Sequence, residues 1–233
     1  MANSCIYNTL WGKKNKKQSG GNQNILTLLE NKKYFLMQVF ANLIFQLLVT
    51  FIIAFKVKTD LLNKPLSFWG LVISSFIIII VLALVPMPPF IKFILFTLFS
   101  LCWGLLLSKI KEKVSPSIIE TALLGTLSVF VSMFVIGLFL LSIGVKLGFQ
   151  FGFVLLILLI FIIITMIVLM IMNKFSTYHK AISIFILMLF SVYIIFDTNT
   201  ILQRDYYGDF ITASLDYYLD ILNIFINFVS LQN

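Results

Sequence analysis

The chain has 233 residues, 61% of them hydrophobic and only 11% charged, and its mean hydropathy is +1.06. That balance excludes an ordinary soluble domain, which would have too little polar surface to face water, and the continuous apolar runs exclude a β-barrel, whose strands alternate. The net charge of +8, from seventeen basic and nine acidic residues, is not gathered on a soluble surface, so no nucleic-acid partner is expected; in a polytopic helical membrane protein such charge sits in loops beside lipid.

Residues 1–33 contain KKNKKQSGGNQN and read as a polar, flexible tail with no apolar core for a cleaved signal. Residues 34–233 then read as one all-α domain of seven membrane spans. The expected spans are Tyr34–Phe55, Phe68–Val85, Phe90–Lys109, Ser117–Leu140, Phe149–Met172, His179–Leu202 and Ile211–Leu231. Pro86-Met87-Pro88-Pro89 forces the turn between the second and third, because successive prolines cannot continue a helix. With the N-terminus in the cytoplasm, that side carries nine basic residues and the other eight. The lysine cluster before the first span, which dominates insertion, favours a cytoplasmic N-terminus.

Few polar residues interrupt the spans. Cys5 and Cys102 are far apart and lack metal or disulfide spacing, and His179 sits at a helix entrance beside Lys180. Glu120 follows Ser117 by three residues, which suits either a capping box or an acid lining the outer mouth of a pathway. Gln38, Asn42 and Gln46 repeat every four residues and form a stripe of the kind that joins helices. The last span is different. Thr212, Asp216, Asp220, Asn223, Asn227 and Ser230 fall on one arc of roughly 80°, and Asp197 lies near the end of the sixth span.

A carboxylate at bilayer depth costs at least about 2.5–3.5 kcal/mol on insertion scales, so these aspartates mark a site. Carboxyls converging across a hairpin share a proton until a cation replaces it. Asp oxygens with Asn amides beside them suit calcium better than a softer metal. A hairpin symmetric about Tyr206 and Tyr207 would set Asp197 level with Asp216, and an uneven one would set it level with Asp220. No HExxH, no GxGxxG and no nucleophile–base pair occurs, so an enzyme is not expected.

Phe196-Asp197-Thr198, followed by Ala213 through Phe225 (ASLDYYLDILNIF), resembles the C-terminal signature of the Bax inhibitor-1 family, also called the transmembrane Bax inhibitor motif family. FLMQVFANLIFQLLVT and SPSIIETALLGTLSVF resemble its first and fourth spans. The resemblance implies a seventh helix at the centre, wrapped by helices one to six. It also implies a pH-dependent calcium leak, with Asp197 and Asp220 as the pH-sensing pair and possible calcium ligands, and Asp216 as an extra acid one turn away. Asn223, Asn227 and Glu120 are then candidates for lining the pathway. An alternative is a membrane-embedded regulator of cell death or stress signalling that works through membrane protein partners without conducting ions. The host membrane would be the plasma membrane in a prokaryote and the endoplasmic reticulum or Golgi in a eukaryote or virus. Two departures stand out: Trp103 occupies a position where many members carry an acid, and Met87-Pro88-Pro89 stands where many carry basic residues.

Overall fold

The computed structural model of the protein describes residues 25–57 and 65–232. The described residues form seven helices: α1 (Ile25–Lys56), α2 (Pro65–Leu84), α3 (Pro89–Lys111), α4 (Pro116–Ser142), α5 (Phe149–Ile171), α6 (Phe175–Gln203) and α7 (Phe210–Gln232). Cys5, the lysines at 13–17 and the charges at 58–64 lie outside these residues. α1 starts at Ile25 rather than Tyr34, so residues 25–33 are helical and not part of a flexible tail. The segment ILTLLENKK holds no glycine or proline, and its Leu, Glu and Lys residues are good helix formers despite their charge.

Proline and left-handed residues set the other boundaries. Pro89 and Pro116 begin α3 and α4, where a missing N–H costs nothing and φ is already helical. α4 ends at Gly144, φ 86°, where the Val145 and Gly144 amides donate to the Leu140 and Leu141 carbonyls, a closure that needs the left-handed conformation. α5 ends in the same way through Asn173, φ 54°.

Five of the seven helices, α1 and α3 to α6, are long and apolar enough to cross a membrane, and α2 contributes a shorter apolar stretch, Phe68–Leu84. α7 falls outside that group, since the acids and amides that interrupt its apolar run lower its hydropathy. Burial runs the opposite way. α7 has thirteen buried residues and α5 has one, Leu155, so α7 faces protein and α5 faces outward. Phe153, Ile157, Phe161 and Ile164 on α5 are each about half exposed or more, a surface that only lipid would solvate. α7 packs against α1, α3, α4 and α6, while α2 leans on α3 and α5 on α6.

The contact of α1, α3 and α7 is polar inside. Gln46, fully buried, accepts from Ser100 Oγ at 2.9 Å and donates to Thr97 Oγ1 at 3.2 Å and to Asn42 Oδ1 at 3.4 Å. Asn42 donates to Ser214 of α7 at 2.5 Å. Thr50, one turn beyond Gln46, meets the Tyr218 hydroxyl at 2.6 Å. The expected stripe on the first helix is therefore displaced by one turn: it is Asn42, Gln46 and Thr50, and Gln38 is exposed. Replacing Gln46 with Leu leaves Ser100 and Thr97 without these partners at a buried contact, and should cost about 1–3 kcal/mol of stability. A thermal unfolding midpoint equal to wild type in detergent would contradict this.

Candidate functional site

Asp197 lies on α6 and Asp220 on α7, and the two are electrostatic neighbours. Asp220 is 2% exposed, and its Oδ2 is buried with no partner. Asp216, one turn nearer the start of α7, is half-buried and is an electrostatic neighbour of both. Asp197 has both Asp216 and Asp220 as neighbours.

The hairpin around these acids is held by side chains on both sides. The Tyr217 hydroxyl donates to Thr198 Oγ1 at 2.9 Å, next to Asp197. Its ring stacks on Phe40 at 6.0 Å and meets Phe130 edge-on at 5.3 Å. Gly137 lets α4 approach closely here, since a Cβ would fall 2.8 Å from that of Thr198. Ser183 Oγ donates to Ser230 Oγ at 3.1 Å near the far end of the hairpin. Between the acids and that end, a cavity of about 20 Å³ lies among Phe51, Ala54, Leu107, Ile119, Phe225 and Val229. It has room for about one water, and its walls are apolar apart from Lys111.

The end nearer the acids is tied by two lysines. Lys92, in the first turn of α3, donates to Asp209 Oδ2 and to Thr212 Oγ1, each at 2.5 Å. Asp209 also caps α7, accepting from the Thr212 amide at 3.1 Å. Lys32 of α1 donates to the Arg204 carbonyl and, at 3.3 Å, to that of Ile201, closing the C-terminus of α6 with a cation. Asn199 holds the α4–α5 connection against α6 through the Leu147 amide and the Val145 carbonyl.

Partial burial opposes the Asp209 charge, but the hydrogen bonds from Lys92 and Thr212 and the Lys92 charge prevail, so this carboxyl titrates below its usual range. Its contribution is therefore present above the ordinary carboxylate value and lost as pH falls through the lowered one. Asp209→Asn keeps a capping side chain and removes the ion pair. At pH 7 it should cost less than about 1 kcal/mol, because the pair is partly solvated. The gap from wild type should narrow as pH falls through the ordinary carboxylate value and close only below the lowered one of Asp209, as read by thermal unfolding. A gap that widens in acid would contradict the sign.

Other expected site residues are placed differently. Glu120 is exposed and lies in the second turn of α4, whose N-cap is Ser115 and not Ser117. The capping box is therefore absent, because Pro116 already occupies the first helical position. Asn223 and Asn227 sit beyond Asp220, where each amide donates to a carbonyl one turn back, Leu219 and Asn223, both at 2.8 Å. Thr212 turns to Lys92 and Asp209. His179 Nδ1 meets the Ser176 carbonyl at 2.7 Å. The free thiol of Cys102 is 3.9 Å from Ser74 Oγ. Trp103 packs edge-on to Phe99, with its indole Nε1 buried and unpartnered. Among the described residues no group of three or more His, Cys, Asp or Glu side chains could hold a metal ion.

Lys92, Lys32, Ser214, Tyr217 and Tyr218 went unread in the sequence as functional positions. Thr50 was visible as the next step of the four-residue stripe. Ser214 and Tyr218 show the same spacing on a second face of α7. Nothing local marks Lys92, whose partners lie more than a hundred residues away.

A family model described as Inhibitor of apoptosis-promoting Bax1 matches residues 32–232. No curated protein matches the chain.

Proposed function

The chain belongs to the Bax inhibitor-1 family, and from that premise we propose that it is a pH-sensitive calcium leak channel gated by Asp197 and Asp220. All seven helices then cross the bilayer with the N-terminus in the cytoplasm, and α7 is the axis around which the others gather. The observation that supports the reading is that Asp197, Asp216 and Asp220 are electrostatic neighbours on two helices that are otherwise largely apolar.

With one proton between them, the two carboxyls hold α6 and α7 together. When that proton leaves, two like charges at hydrogen-bond range repel in a medium that screens them poorly. A divalent cation relieves the repulsion by binding both. Calcium favours six to eight oxygens, so two carboxylates and residual water make a site of passage rather than of storage. Asp216, between this pair and the lysine-tied end, extends the acidic route by one turn.

The test is flux in vesicles that hold the purified protein and a calcium dye. Efflux should rise between about pH 6 and about pH 8 as the shared proton is lost; efflux equal to that of empty vesicles across this window would end the reading. The second reading is a membrane-embedded regulator of cell death or stress signalling that acts through membrane protein partners and does not conduct. That reading predicts no flux, together with activity in a survival assay that outlasts a folded Asp197→Asn, Asp220→Asn double variant.

A further inference from the structure

Thr212, Asp216 and Asp220 follow one another every four residues on α7, and the first of them is bound by a charge pair. Lys92 Nζ, on the first turn of α3, donates to Thr212 Oγ1 and to Asp209 Oδ2, each at 2.5 Å. The Lys92 side chain is 12% exposed and that of Asp209 37%, so the pair stands where the protein interior meets water at this end. Asp216, one turn further in, has Asp209, Arg204 and Lys92 as electrostatic neighbours. Of the other charged groups here, Lys32 is turned onto the α6 carbonyls and Asp205 onto the Tyr207 amide.

We propose that the Lys92–Asp209 pair sets the charge at the mouth of the acidic stripe, and through it the rate at which cations enter. This rests on the calcium-leak reading and adds the groups that govern the size of the leak. Within the pair the two charges cancel, so it is neutral toward an arriving cation. Without the Lys92 charge it becomes negative; without the Asp209 charge it becomes positive. The distance to the next step of the stripe is one helical turn, about 6 Å. A unit charge that far from a divalent ion changes its occupancy about tenfold in water without salt. At physiological ionic strength, with a screening length of about 8 Å, the change is about threefold. A purely mechanical tie would act differently. It is broken from either side, so the two losses would change the leak in the same direction, whereas a charged mouth gives them opposite signs.

The experiment is calcium flux through the purified full chain in vesicles of phosphatidylcholine, which adds no net charge of its own, at about pH 8, where the proposed leak is largest. At physiological salt, Lys92→Gln should raise the leak about threefold and Asp209→Asn should lower it about threefold, and both effects should grow as salt is removed. The double variant should return to the wild-type rate. Lys92→Arg should keep that rate, and so should Lys146→Gln, which removes an exposed charge from the α4–α5 connection. Changes of the same sign in Lys92→Gln and Asp209→Asn would overturn the proposal in favour of a tie, and equal rates in every variant would overturn it outright. If Lys92→Gln does not fold, Asp209→Asn decides alone, since an unchanged or faster leak contradicts a mouth made positive. A wild type that leaks no faster than empty vesicles would instead end the leak reading, and this proposal with it.

Discussion

Asp220→Asn should give a calcium leak that stays low and flat between about pH 6 and about pH 8, while the wild-type leak rises about tenfold per pH unit over the steep part of its titration, as loss of a single proton requires. Asparagine keeps the size of the side chain, and its amide donates to Asp197 with no proton to lose. In the proposed gate the hairpin is therefore held closed at every pH. Asp197→Asn should behave alike, because the bond is made from either side. Asp216→Asn should keep the pH dependence with altered flux, since in the proposed gate the shared proton lies between Asp197 and Asp220, and Asp216 is their neighbour. A steep pH response surviving in Asp220→Asn would remove the pair from the gate. Asp209 cannot substitute as the sensor in this window, because its carboxyl titrates below the usual carboxylate range and stays ionised throughout.

Gly104→Val should be the most damaging single change in the apolar packing. A Cβ at Gly104 would lie 2.7 Å from Ile53 Cβ and 2.8 Å from the Thr50 carbonyl oxygen. Neither neighbour is the yielding end of a flexible side chain, so α1 and α3 must separate. Separation also strains the bond of Thr50 to Tyr218 and its contact with the Ser100 carbonyl at 3.2 Å. Overpacking with loss of a buried hydrogen bond should cost about 3 kcal/mol, read as a fall in the thermal midpoint of the purified protein. Gly70→Val is the matched control: its Cβ meets nothing within 4 Å, and helix propensity favours the change. If both variants unfold together, the close approach at Gly104 is not what holds these helices.

Some of this was legible residue by residue. Prolines and left-handed turn residues closed six of the seven helices near their expected limits. The exception is the start of α1, where polar composition suggests a tail but Leu, Glu and Lys at 28–33 sustain a helix. Asp220, Asn227 and Ser214 are buried as an apolar helix with polar stripes demands. Glu120 misled because its spacing from Ser117 is right for a cap, while Pro116 moves the cap to Ser115.

The amino-acid sequence by itself determined the membrane class, the helices and the acidic face of the last one, because hydropathy and a 100° turn per residue are properties of a single segment. Which groups meet was decided only by the tertiary structure. A symmetric hairpin pairs Asp197 with Asp216, and Ser183 with Ser230 does follow that register. What stands opposite each acid depends on the rotation and offset of α7, which are set by neighbours on other helices: Tyr217 on Thr198 and Phe40, Tyr218 on Thr50, Asp209 on Lys92. Periodicity gives each side chain an angle about its own axis; the packing of several helices at once decides what stands opposite it.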